Sequence, residues 1–348
     1  ATGKPKSVDE QKIQRALSYV MDGAYRKVTT ALTSNGEADL DDDDVRKGIE
    51  LLYPRADRVK GIEQDAVDNI AHQPFEASEI IAYLATRRRR TAGGLSKLTY
   101  DTLKSMVAYA PDRAPEALTA VCNLIASGRL NVANANTISL LHDLEGIALV
   151  KDLNDCTKVR PIGLSEALMN LTAGVLAYRH KFDIAEATNA DQFGHAVPRG
   201  VLAAGVKADI ALSSKSGLVL LVGDGTNYYN SAMREPIAKA ATELSFIAPF
   251  IAPVLNNPFS VTYARDGARP LVIEAQTGMT QGGALSGPLC NVAAAPVHKG
   301  VANEHPDVVL GQIIDDCLAV GEPADALEAM LKTKTRLKAE MGVQMTHL

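Results

Sequence analysis

The stretch Val308-Val309-Leu310-Gly311-Gln312-Ile313-Ile314-Asp315-Asp316-Cys317-Leu318-Ala319-Val320 holds two apolar runs split by a pair of carboxylates. Runs of this length are strand-sized, so the pattern predicts a β-hairpin with both acidic residues at its turn. A second run, Gly217-Leu218-Val219-Leu220-Leu221-Val222-Gly223, leads into Asp224. Its unbroken apolar character predicts a buried strand that delivers a third carboxylate.

Carboxylates at the ends of buried strands are costly unless a cation lies among them. A lone Asp-Asp pair is more often a turn than a metal site. The other reading is a metal site: two Mg²⁺ ions, with Mn²⁺ as a substitute, about 3.5–4 Å apart would offset the cost of three carboxylates ending buried strands and suit phosphoryl transfer.

Outward from these strands the text is mostly helical. Gln11 to Met21, Ser78 to Leu84, Glu116 to Ser127, Leu164 to Tyr178 and Arg234 to Leu244 carry apolar residues at helical spacing, with Pro236 tolerable in a first turn. Gly128 reads as a helix stop. Ile147 to Lys151 and Val159 to Ile162 flank a polar turn and predict a short hairpin bearing basic residues. Residues 1–85 read as a helical, polar extension that packs or binds a partner.

Composition bounds the function. The chain has 348 residues, enough for two or three subdomains, with 46% hydrophobic and 22% charged residues. No run approaches the roughly 18–20 apolar residues of a membrane span. Cys122, Cys156, Cys290 and Cys317 stand singly, which suggests neither zinc nor disulfides and fits a reducing intracellular compartment. Net charge is −5, unfavourable for holding nucleic acid, but charge is segregated: Arg87, Arg88, Arg89 and Arg90 form a basic block, and Asp39 with Asp41 to Asp44 an acidic one. The basic block either binds nucleic-acid phosphates, forms a solvated helix face or is a targeting-type basic patch.

Five ordered blocks then resemble the reverse transcriptase family, closer to its non-LTR retrotransposon and group II intron branch than to its retroviral one. Thr91-Ala92-Gly93-Gly94-Leu95 with Leu98 to Lys104 is similar to the early Gly-rich segment and helix. Leu149-Val150-Lys151 and Arg160-Pro161-Ile162-Gly163 resemble the fingers hairpin, and Gln192-Phe193-Gly194 the short element before the palm. Asp224 to Ser231, with Arg234, resembles the first palm motif. Gly278 to Leu289 resembles the second, and Ile314-Asp315-Asp316 stands where the family has its aromatic-small-Asp-Asp.

The resemblance implies an α+β fold: a right-hand polymerase with fingers over 86–215, an antiparallel palm sheet flanked by helices over 216–348, the 1–85 extension, and no thumb. Asp224 and Asp315 would be direct metal ligands, with Asp316 in support. Tyr229 would lie under the incoming sugar and favour deoxynucleotides, one of Tyr228 and Tyr229 being core. Gln281 and Gly282 would border nucleotide and template, and Arg160 and Lys151 would grip the triphosphate. Expected partners are an RNA template, a DNA primer, dNTPs, and a second chain or larger ribonucleoprotein supplying the thumb; nucleus and mitochondrion both suit the function.

Three departures stand out. Gly283 and Ala284 replace an acidic residue and a Pro, Ile313-Ile314 replaces the aromatic-small pair, and Leu348 falls before the thumb. The alternative is a retired, polymerase-derived structural subunit of a large assembly, and a third reading is an RNA-templated RNA polymerase. His195 follows the third block, but a lone His is usually structural.

Overall fold

The computed structural model describes residues 8–21, 29, 31–56, 61–63, 67–87, 91–129, 141–188, 191–265 and 267–346. Helices and strands are mixed, and the strands among the described residues form two four-stranded sheets.

The first sheet grows from the predicted hairpin. Strands β1 (Leu144–Asp152) and β2 (Asp155–Leu164) pair antiparallel from Glu145 opposite Leu164 to Val150 opposite Val159, with an irregularity before Asp152. The turn is tight because Asp152 Oδ1 accepts the Asn154 N–H at 2.9 Å. Strand β4 (Phe259–Tyr263) lies parallel to β1, and β5 (Leu271–Ala275) antiparallel to β4. The order is β2-β1-β4-β5, so residues read as palm from the sequence contribute half of the hairpin's own sheet.

The N-terminal residues are built into this sheet as well. Gly36 to Ala38 run along the free part of β1, where Ala38 N donates to Ala148 O at 2.8 Å and Val150 N to Gly36 O at 3.1 Å. Helix α2 (Asp43–Leu51) starts where Asp42 accepts from the N–H groups of Asp44 and Val45. It lays Val45 and Ile49 into a core with Leu144, Ala148, Val159, Val261 and Tyr263. The acidic block is thus a helix start, where carboxylates oppose the positive end of the backbone dipole.

The second sheet has the order β6-β7-β3-β8, with β3 (Val219–Thr226), β6 (Val309–Ile313), β7 (Asp316–Gly321) and β8 (Gln344–Thr346), all antiparallel. Gly223, Gly225, Cys317, Ala319 and Met345 face inward. Leu220 and Val222 are 42% and 53% exposed, which corrects the expectation of a strand buried throughout. Period 2 puts successive side chains on opposite faces, and only one face of β3 meets the core.

Helix α13 (Pro323–Met341) packs against β3, β7 and β8, and α12 (Ser286–Glu304) packs on α13. Gly342, at φ +71°, closes α13: its N–H reaches Lys338 O and the Val343 N–H reaches Leu337 O. That reversal sends β8 back along β3.

The remaining helices, in chain order, are α1 (Val8–Met21), α3 (Ala77–Thr86), α4 (Tyr100–Tyr109), α5 (Ala114–Ala126), α6 (Ala167–Arg179), α7 (Lys181–Ala187), α8 (Gly200–Ser214), α9 (Tyr228–Ser231), α10 (Arg234–Glu243) and α11 (Ala248–Asn256). Leu118, Cys122, Leu171, Leu176, Ile237 and Leu255 from these helices join Leu289 of α12 in one large core. No helix among the described residues is long and apolar enough to cross a membrane.

Candidate active site

Strands β3 and β7 bring the predicted carboxylates together. Asp224 stands opposite Asp316 in the register, and Thr346 flanks Asp224 on the other side. The β6–β7 turn is only Ile314-Asp315, since Ile313 pairs with Asp316. Asp316 therefore opens β7 rather than sharing the turn. The Gly225 N–H donates to Asp315 O at 3.1 Å, tying the turn to β3.

The trio is electrostatically uncomfortable. Burial raises the Asp315 carboxyl above its ordinary range, and the charges of Asp316 and Asp224 push it further. Asp316 is raised by burial and by Asp224, whose carboxyl lies within hydrogen-bonding reach. None of the three enters an ion pair among the described residues. As placed, no three His, Cys, Asp or Glu side chains among the described residues already stand close enough to hold an ion. The residue types are those a hard divalent cation takes: three carboxylates, mutually repelling and without an ion-pair partner among the described residues.

Asn227, Tyr228 and Tyr229 follow the end of β3. Asn227, in the left-handed region at φ +51°, turns the strand into α9 and donates from Nδ2 to Leu52 O at 2.6 Å and to Ser231 Oγ at 3.0 Å. The N-terminal segment therefore touches the first palm-like block, which its sequence did not foretell. Tyr228 is the core member of the pair, 4% exposed. The pair forms a one-turn helix rather than an extended segment, so the two rings meet edge to face at 5.7 Å.

Tyr229 is half-buried, and burial beside Asp315 pushes its hydroxyl well above the ordinary range. Its carbonyl accepts from Met279 N at 2.8 Å, and Gly278 N donates to Ala232 O at 2.8 Å. A side chain at Gly278 would run into the Tyr229 and Asn230 carbonyls, and its φ of +66° also calls for glycine. The loop after Gly278 reaches the hairpin, where the Gly163 N–H donates to Gln281 O at 3.3 Å. A Cβ built on Gly282 would meet Gly163 O at 3.1 Å. The fifth sequence block thus bridges the other two, touching the fourth at Tyr229 and the second at Gly163.

No family model matches the chain, and no curated protein matches it.

Other predicted residues are less gathered. Arg160 and Lys151 are exposed on β2 and β1, and neither pairs with the carboxylates. Arg87 stacks its guanidinium 4.1 Å over the Tyr83 ring and donates to Thr86 Oγ1, while Arg88, Arg89 and Arg90 lie outside the described residues. The Gly-rich first block closes on Glu166, whose carboxylate accepts from Ser96 N at 2.9 Å and from the Ser96 hydroxyl.

Sequence reading missed three supports. Gln192 is buried behind the turn; His195 meets Asn291, with Nε2 and Nδ2 2.9 Å apart; and Arg234 is a buried hub. The third and fourth blocks contain Gln192 and Arg234, but nothing in their spacing showed what these side chains hold.

Proposed function

We propose that this chain is the fingers and palm of an RNA-directed DNA polymerase that adds dNTPs to a primer 3′-hydroxyl. One observation carries the reading: Asp224 and Asp316 face each other across β3 and β7, with Asp315 at the adjoining turn and Tyr229 beside it. In the reaction the primer 3′-oxygen attacks the α-phosphorus of the dNTP. A phosphorus–oxygen bond forms, the bond to the β-phosphate oxygen breaks, and pyrophosphate leaves as the hydroxyl proton is lost.

Asp224 and Asp315, supported by Asp316, would hold Mg²⁺ or Mn²⁺, which when bound lowers the hydroxyl pKa and neutralises charge on the leaving group. Tyr229 walls the sugar site against a 2′-hydroxyl. Gln281 hydrogen-bonds at the nucleotide, and Gly282 permits close approach. Arg160 grips the triphosphate by a fork and Lys151 as a point charge. Arg87 to Arg90 contact RNA phosphates.

The test is primer extension on an annealed RNA template with dNTPs and Mg²⁺ or Mn²⁺. Asp315→Asn should abolish incorporation with the circular dichroism spectrum unchanged. Substituting Tyr229 by Ala should raise rNTP incorporation. Absence of extension by the complete polypeptide would sink the reading.

A second reading, a retired structural subunit of a larger assembly, is favoured by α8. Leu202, Val206 and Ile210 form an exposed stripe along it, bordering a groove of about 510 Å³ with Pro198 and Arg199. Apolar stripes of this kind often mark contacts with another macromolecule. Polymerisation by the isolated protein decides against that role.

A further inference from the structure

Residues Asp191 to Gly194 form a strap along the edge strand β6. Gln312 N donates to Asp191 O and Phe193 N to Gln312 O, both at 2.8 Å, so that Gln192 lies parallel to Gln312. From α8, Lys207 donates to the Asp191 carboxylate and, at 3.1 Å, to Leu310 O, pinning strap and strand together.

The Gln192 side chain, 3% exposed, is almost fully committed. Its Oε1 accepts from Gly194 N at 2.8 Å and from Ile314 N at 3.0 Å, and its Nε2 donates to Gln312 Oε1 at 3.2 Å. Ile314 is the residue before Asp315 and has φ +62°. A β-branched side chain in the left-handed region is strained, and such strain persists only where neighbours over-determine it. Gly194 makes the contact possible, because a Cβ there would fall 2.5 Å from Ile314 Cγ1.

We propose that Gln192 is the positioning residue of the carboxylate centre: its buried amide clamps Ile314 in the left-handed turn that sets Asp315 beside Asp224 and Asp316. The hydrogen bond from Gly225 N to Asp315 O carries the clamp across to β3. The metal half of this inference rests on the polymerase reading; the clamp rests on geometry alone.

The test uses the full chain and two readouts: Mn²⁺ affinity by calorimetry, and amide exchange over residues 313–316 by mass spectrometry. Gln192→Met keeps length and removes every hydrogen bond of the amide. Loss of such buried bonds should speed exchange at Ile314 about tenfold and weaken Mn²⁺ binding about tenfold. Adding Ile314→Gly should restore most of the affinity, since glycine takes positive φ without restraint. A purely structural role would lower the melting midpoint, leave the affinity of the folded protein unchanged, and show no rescue.

Should Gln192→Met fail to fold, Gln312→Leu removes only the partner of Nε2. It should speed exchange about threefold, and parent-like exchange there overturns the clamp. Parent-like exchange or affinity in a folded Gln192→Met does the same. Failure of the unsubstituted protein to bind Mn²⁺ instead overturns the polymerase reading.

Discussion

Arg234 donates from Nη1 to the backbone carbonyl of Asn257 at 2.7 Å, from a position only 3% exposed. Its remaining donors reach Ala275 O at 3.1 Å and Leu255 O and Gly278 O at 3.4 Å, and its guanidinium lies over the Phe259 ring. Burial pulls its pKa down to about 10. Carbonyl dipoles do the work usually left to a carboxylate. The side chain joins the end of α11 and the end of β5 to the loop that seats Gly278 against Tyr229.

Arg234→Met should therefore cost about 3–5 kcal/mol of stability, because it orphans several buried carbonyls at once. Arg234→Lys should recover little, as a point ammonium cannot span acceptors on three elements. Urea unfolding measures both, and a loss under about 1 kcal/mol would count against the hub.

Asp316→Asn should stabilise the metal-free protein. The folded-state pKa of Asp316 is raised by burial and by Asp224. A raised carboxyl contributes stability at pH below its unfolded value and loses it as pH rises through the folded value, so at neutral pH its ionised form is a cost. The gain should be roughly 0.5 kcal/mol, reduced by solvent around an exposed group. Excess Mn²⁺ should raise the melting midpoint of the parent but not of Asp315→Asn.

Acid should weaken the fold through two histidines, His298 buried and His142 half-buried. Burial pushes His142 and His298 down to about 4. Both prefer to be neutral when folded, so their contribution is complete above an unfolded pKa near 6.5 and is lost as pH falls toward about 4. Each should account for on the order of 2–3 kcal/mol, partly offset by the raised Asp315 and Asp316. The urea midpoint should drop between pH 7 and pH 4.5. His298→Gln should flatten that drop; an unchanged slope would show that His298 is not responsible.

Asn291 links His195 to Tyr228. Its Nδ2 meets His195 Nε2, and its Oδ1 accepts from the Tyr228 hydroxyl at 3.2 Å. Asn291→Leu should cost about 1–3 kcal/mol, because it leaves His195 Nε2 without its amide donor and the Tyr228 hydroxyl with only the Cys290 carbonyl, 3.3 Å away. Burial holds His195 below its ordinary pKa, so the imidazole is neutral at pH 7 and accepts from the amide. On the polymerase reading, discrimination between dNTP and rNTP should fall in this variant, as measured in single-nucleotide extension.

Local pattern made much of this legible. Two apolar runs around Asp315-Asp316 predicted the hairpin, which forms with Ile313 opposite Asp316. Arg234 to Leu244 predicted a helix, and α10 runs from Arg234 to Glu243. These features depend on spacing within a few residues, where periodicity alone selects the backbone state. The same cue misled at β3: five consecutive apolar residues look alike whether one face or two are covered, and Leu220 and Val222 turned out exposed.

The amino-acid sequence by itself determined both hairpins and the helix from Arg234, because turns and apolar period are short-range properties. It put Asp224 at the end of its strand and a helix start at Leu164, whereas β3 runs on to Thr226 beside β8 and Leu164 closes β2. Tertiary structure decided what holds the three carboxylates in place. Gln192 meets Ile314 across a separation of 122 residues, and Asn227 meets Leu52 across 175. Partners so distant leave no local signature, since a buried amide or guanidinium is recognisable only once the carbonyls and N–H groups it serves have been folded around it.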